Sequence, residues 1–173
     1  MSDVKKFFEK KAETGEWKSL YDQNNPSSYP FIIRLEKTIE MLSDKVYGKK
    51  ICDLGCGTGA LIPHMIKANA DYTGIDFSKE MLSKIKAQQL DETHNNKIHL
   101  HHLDFNNDNL EKKFDVLVGL GFIEYFEDPI KIIKKCNEIL NKDGLILLSF
   151  PNRLSIDFTM IRILKYLRLF LKK

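Results

Sequence analysis

KICDLGCGTG, residues 50–59, sets a short apolar strand hard against a glycine-rich turn. Ile51, Cys52 and Leu54 give the strand; Gly55, Gly57 and Gly59 give the turn. Glycines at alternate positions permit positive φ and let a ligand come close to the main chain. Ala60 to Ala68 then reads as a helix, with Pro63 tolerated in its first turn. The helix start presents unpaired N–H groups to whatever lies over the turn. Strand, glycine turn and helix in that order open a βαβ unit.

Downstream, the same alternation continues. DYTGID (71–76) reads as a second strand, and Ser78 as the N-cap of a helix to about Leu90, with Glu80 and Lys84 as an i,i+4 pair. KIHLHHL (97–103) and FDVLVGL (114–120) are the third and fourth strands. Asp128 and Pro129 cap and open a helix to about Leu140, and NKDG turns into the fifth strand, LILLSF (145–150). Near-continuous apolar runs suit strands buried on both faces. Strands alternating with helices predict right-handed crossovers and an α/β fold, with a mainly parallel sheet and helices on both faces. Upstream, residues 3–14 read as a short amphipathic helix and 17–21 as a further turn. NNPSSYP is a loop, and Pro30 opens a helix through about Val46 that Gly48 stops.

In such a sheet a ligand binds beyond the carboxyl ends of the strands, where the strand order switches. Gly55, Gly57 and Ala60 satisfy G-x-G-x-x-A, which would suit a dinucleotide. Asp53 argues otherwise: a carboxylate just before the turn repels a pyrophosphate and suits a ligand that carries an ammonium group. Asp76 ends the second strand, at about the distance from the turn expected of an acidic residue that accepts hydrogen bonds from ribose hydroxyls. Asp104 ends the third strand and can accept from an exocyclic amine such as that of adenine, while Phe77 or a neighbour stacks on the base. The pocket described is one for an adenosine with a zwitterionic tail and no phosphates.

DLGCGTG, GIDFS, LDF, FDVLVGLGFIEYF and ILNKDGLILLSFPN resemble the successive motifs of class I S-adenosylmethionine-dependent methyltransferases over roughly residues 48–153. Within that class, the SFPN ending and the FFEKKAETGEWKSLYD leader resemble the methyltransferases of ubiquinone and Mg-protoporphyrin biosynthesis. The resemblance implies a three-layer Rossmann-like fold and S-adenosylmethionine as cofactor, with S-adenosylhomocysteine as product. It implies Asp53, Gly55, Cys56, Gly57 and Gly59 along the methionine portion, Asp76 on the ribose, and Asp104 and Phe105 at the adenine. Leu120 and Gly121 would lie near the reactive methyl, and Trp17 and Tyr21 in a leader that folds over the cofactor. Many members of the class carry a histidine where this chain has Tyr125, after Glu124, so Tyr125 or Glu124 is the residue expected to orient an acceptor. The fourth-strand segment lacks the [ND]-PP-[YF] pattern of amino-methyltransferases acting on DNA or glutamine, and the expected acceptor is a small molecule.

The chain has 173 residues, a net charge of +3 and three cysteines with no CxxC pair. Those values suit one domain in a reducing cytoplasm and argue against nucleic acid as a partner. The N-terminus lacks the apolar region of a signal peptide, and no apolar run is long enough to span a bilayer. His99 and His101 share one face of the third strand, with His102 on the other and His94 before it, but no Cys or carboxylate partner stands at suitable spacing and no metal site is expected. Cys56 has no paired base, and Asp115 reads as structural. The single domain divides into a helical leader or lid (1–47), a core (48–153) and a basic amphipathic helix (154–173). In that helix Arg162, Lys165, Arg168 and Lys172 share one face, which suits either packing on the sheet or peripheral contact with a membrane or a lipophilic substrate. The resemblance implies a seven-stranded sheet, yet the terminal β-hairpin is missing. The fifth strand is then an edge to be covered by this helix or by a homodimer, unless the chain is a truncated fragment. Three alternatives stay open: a cofactor-binding but non-catalytic or truncated module acting through a partner, a nicotinamide-dependent oxidoreductase, and a peripheral membrane protein.

Overall fold

The computed structural model describes residues 21–22, 24–87 and 96–152, together with positions 6, 9, 10 and 14. Most of the expected leader helix, Trp17, His94 and the basic helix lie outside the described residues.

A single 3-10 turn, Pro26–Ser28, leads into α1 (Tyr29–Leu42), with Pro30 in its first turn, where a missing N–H costs nothing. The helix ends before the expected Val46, and the chain turns toward Gly48 at φ 65. Five parallel strands follow: β1 (Lys50–Leu54), β2 (Asp71–Asp76), β3 (Ile98–His102), β4 (Phe114–Gly119) and β5 (Leu140–Leu148). Between them run α2 (Ile62–Lys67), α3 (Lys79–Lys86) and α4 (Pro129–Ile139). The caps are those the sequence specifies: Ser78 accepts from the Met81 amide at 3.3 Å, and Asp128 Oδ1 from the Lys131 amide at 3.0 Å.

The strand order is β3-β2-β1-β4-β5, all parallel. The chain winds outward from β1 to β3, then returns to the other side of β1 for β4. The β1/β4 junction is therefore the switch point, and crevices open above it. β1, β2 and β4 are almost wholly buried, as their apolar runs require, while β3 and β5 form the edges of the described sheet. One face packs Ile51, Tyr72 and Val118 against Leu42 of α1, Met65 of α2 and Ile85 of α3. The other packs Cys52, Leu54 and Leu117 against Ile132, Cys136 and Ile139 of α4.

β5 departs from its expected start at Leu145. Leu140, directly after α4, already pairs with Phe114, and the register then slips so that Leu145 faces Val116. The NKDG turn survives as this irregularity, with Asp143 at φ 63.

Candidate functional site

The glycine turn is folded down onto the end of β2. The amides of Gly55 and Cys56 both donate to the Ile75 carbonyl, at 2.9 and 3.0 Å. The Gly57 amide donates to Asp76 Oδ2 at 2.9 Å, and the Ser78 amide to Asp76 Oδ1 at 2.8 Å. Asp76 thus ties the turn to the start of α3. It is only 8% exposed. Burial raises its pKa, and the Ser78 and Gly57 amides oppose that rise. With these three turn amides committed and a carboxylate among them, the turn is a poor cradle for pyrophosphate, which needs free N–H groups and no like charge.

A cleft opens above the strand ends. Gly55–Thr58 and Ala60 line one side, Ile75–Ser78 and Met81 the next, then Leu103, Asp104 and Phe105, then Leu120–Phe122 with Tyr125 and Phe126. The Asp104 carboxylate is held by its own loop: Oδ1 accepts from the Asn106 amide at 3.1 Å and Oδ2 from Asn107 Nδ2 at 2.8 Å. Beside it, His102 Nε2 lies 2.8 Å from the Phe77 carbonyl. A carbonyl only accepts, so the imidazole donates there and steadies the segment that carries Phe77 along the wall. Phe105, Phe122 and Phe126 meet edge to face, at 5.9 and 4.8 Å between centroids, and give the cleft an apolar floor.

Tyr21, Phe31 and Arg34 complete the wall from the N-terminal side. The Tyr21 and Phe31 rings meet edge to face at 6.4 Å, and the Arg34 guanidinium lies 5.2 Å over Phe31. Burial pushes the Tyr21 phenol up, opposed by the Arg34 charge and a hydrogen bond from it. Arg34 Nε is buried without a partner. Gly121, at φ 63, lies beneath this guanidinium, where a Cβ would come within 2.8 Å of Arg34 Nη1. Ser149 holds the same residue from the other side: the Gly121 amide donates to Ser149 Oγ at 2.8 Å, and the Ser149 amide to the Gly119 carbonyl at 3.0 Å.

Three residues expected in the site lie off the wall. Gly59, at φ 80, faces the core, and a Cβ there would meet Ile62 Cδ1 at 2.6 Å; its glycine is demanded by α2 packing rather than by a ligand. Asp53 sits beneath the turn, 4% exposed, accepting from the Tyr72 hydroxyl at 2.8 Å. Glu124 is exposed, while its neighbour Tyr125 reaches the cleft. Partial burial and the Glu124 charge push the Tyr125 phenol up, against Arg34. That phenol stays protonated at neutral pH, so it offers a donor and not a base.

Residues 52–146 match the family described as "Methyltransferase domain". The chain belongs to that family. Among curated relatives, this methyltransferase domain is 32% identical over 123 residues to a ubiquinone biosynthesis O-methyltransferase of Haemophilus ducreyi, covering 66% of the chain and 50% of that protein. It is 32% identical over 157 residues to the corresponding protein of Vibrio campbellii, covering 88% of the chain and 63% of that protein. It thus spans about half to two-thirds of the length of the relatives it matches. Among solved structures, magnesium protoporphyrin IX methyltransferase from Synechocystis PCC 6803 with bound SAH superposes with a TM-score of 0.78 at 19% identity, over 96% of this chain and 78% of that one. Coclaurine N-methyltransferase, bound to N-methylheliamine and SAH, gives 0.60 at 21% identity over 73% and 38%. The fold is therefore the Rossmann-like methyltransferase fold.

Sequence reasoning missed Phe31, Arg34, Ser149 and Tyr72. Arg34 and Phe31 sit on α1, whose apolar periodicity reads only as packing. The available signal was a cation set within that pattern, between Ile33 and Leu35.

Proposed function

We propose that this domain transfers a methyl group from S-adenosylmethionine to a small-molecule acceptor. The observation that carries the reading is Asp76: a nearly buried carboxylate at the end of β2 that commits the turn amide of Gly57 to itself. A cleft built around it favours ribose hydroxyls over phosphates. The donor set fits the rest of the cofactor. Asp104 accepts from the adenine amine, the apolar wall of Phe77, Leu103 and Phe105 takes the base, and Gly55–Gly57 let the tail run close to the backbone. The orphaned Arg34 Nε suits the carboxylate of that tail, and Asp53 supplies a balancing negative charge beneath it.

The cofactor, when bound, supplies an already activated methyl group. The chain's own contribution is alignment. Ser149 and Arg34 fix Gly121 from two sides, which sets the mouth through which an acceptor approaches. Tyr125, protonated and on the wall, orients the acceptor by donating a hydrogen bond.

The wider reading keeps residues 1–47 as a leader over the cleft, 48–153 as the core and 154–173 as a basic amphipathic segment of one domain. Among the described residues no helix is long and apolar enough to cross a membrane. A cytoplasmic setting, with 155–173 against a membrane surface or β5 covered by a second copy, belongs to this proposal. Flotation with liposomes and sedimentation test those two contacts.

Calorimetric titration with S-adenosylhomocysteine tests the central claim. The folded wild type is expected to saturate, Asp76→Ala to bind at least about tenfold more weakly, as loss of charged hydrogen bonds implies, and NAD to give no heat. No binding by a folded wild type overturns the proposal.

A further inference from the structure

Asp53, next to last in β1, lies opposite Gly74 of β2 and Val118 of β4. Tyr72, two residues back on β2 where it pairs with Ile51, reaches along the sheet and donates its phenolic hydroxyl to Asp53 Oδ2 at 2.8 Å. Both side chains are buried. Gly74 makes the reach feasible: a Cβ there would come within 2.9 Å of Cys56 Sγ and 3.0 Å of the Tyr72 ring. The titratable groups around this carboxylate are Cys52 on β1, Tyr72 and Asp76 on β2, and Cys56 in the turn. On the cleft wall, Tyr21 feels the Asp53 charge. Arg34, hydrogen-bonded to Tyr21, is the cation at that wall; the groups that act on Asp53 itself, Tyr72 and Asp76, include no cation. A buried carboxylate with one neutral donor and neutral or acidic neighbours keeps its proton, because the anion would bear the cost of desolvation. Burial pushes Asp53 up to about 7, with the Asp76 charge adding and the Tyr72 bond opposing.

We propose that Asp53 holds a proton when no cation is near and releases it to solvent as the ammonium group of an S-adenosyl ligand enters the cleft, with Tyr72 as the positioning residue that fixes the carboxylate and sets the pH range of release. The carboxyl O–H bond breaks, the proton passes to water, and the charge left on Asp53 is balanced by the ligand's ammonium. This rests on the cofactor reading given above, and on the Asp53 field reaching Tyr21 at the wall.

The test is calorimetry of S-adenosylhomocysteine binding to the full chain, in paired buffers of small and large ionisation heat, from about pH 6 to about pH 8. The enthalpy difference between buffers counts protons released. The expected result is release approaching one proton at the acid end and falling toward zero at the alkaline end, with affinity rising about tenfold across the range. Asp53→Asn is expected to bind with neither release nor pH dependence. Tyr72→Phe is expected to move the release to higher pH, because the hydrogen bond that favoured the anion is gone. A second probe needs no variant: 5′-methylthioadenosine has the nucleoside and thioether but no ammonium, and should bind to the wild type without release. Binding of S-adenosylhomocysteine with equal heats in both buffers throughout overturns the inference and leaves the cofactor reading standing. So does a release that persists in Asp53→Asn, which would assign the proton elsewhere, or one that persists with 5′-methylthioadenosine. Absence of any binding by the folded wild type overturns both.

Discussion

At the scale of single residues, Asp53 also makes a claim about stability that needs no ligand. Its folded-state pKa of about 7 lies above the ordinary value of 3.8. The folded state therefore binds the proton more tightly, so the stabilising contribution is complete below the unfolded value and is lost as pH rises through the folded one. Asp53→Asn, a neutral isostere, lacks that loss. Urea unfolding should show the variant gaining on the wild type by about 2.5 kcal/mol between about pH 5 and about pH 8. A constant difference would mean that the carboxylate is not neutral when buried. The glycines of the turn divide in a similar way. Gly59→Ala meets Ile62 and Ile85 at positive φ and should destabilise by about 2 kcal/mol or more, whereas a Cβ at Gly57 meets nothing within 4 Å. Gly57→Ala should cost about 1 kcal/mol from its backbone alone and fall mainly on ligand binding, read by titration. Asp76 and Asp104 were legible because strand ends mark themselves in the sequence. Tyr72 was not: its partner lies on the next strand, and only the register brings the two together.

At the scale of elements, legibility tracked local chemistry. Ser78 and Asp128 declare helix starts whatever surrounds them, because each side chain satisfies an amide of its own first turn. The cap at Asp128 is exposed and uncomplicated, so Asp128→Ala should lower stability by about 1 kcal/mol without touching ligand affinity. Parallel thermal melts and S-adenosylhomocysteine titrations check both halves of that statement. The ends that depend on tertiary context read less well. α1 stops at Leu42 rather than Val46 because the chain must turn at Gly48, whose amide donates to the Ala68 carbonyl after α2. β5 begins early because α4 delivers Leu140 directly beside Phe114, a meeting that no single segment encodes. Arg34 belongs here too. Its helix announces an apolar face, but whether a cation beside that face meets water or a cleft depends on where β4 ends.

At the scale of the molecule, the strand order β3-β2-β1-β4-β5 concentrates function at one junction. The alternation of strands and helices implies a parallel sheet, but no pattern within the strands says which of them adjoin, and that order comes from the structure. The order brings together pieces far apart in the chain: the turn after β1, Asp76 after β2, Asp104 after β3, Gly121 after β4, Ser149 after β5, and Arg34 from before them all. A ligand bound there bridges both halves of the sheet, so its free energy should appear as stability of the whole fold rather than of one loop. With S-adenosylhomocysteine at about a hundred times its dissociation constant, mass action contributes about 2.7 kcal/mol. For a domain of this size that corresponds to a rise of about 5–10 °C in the melting midpoint. Hydrogen exchange should then show added protection on β1, β2 and β4 together with α1, since Arg34 and Phe31 of that helix line the cleft. Protection confined to the glycine turn would mean that the two halves of the sheet respond separately, and that α1 takes no part in binding.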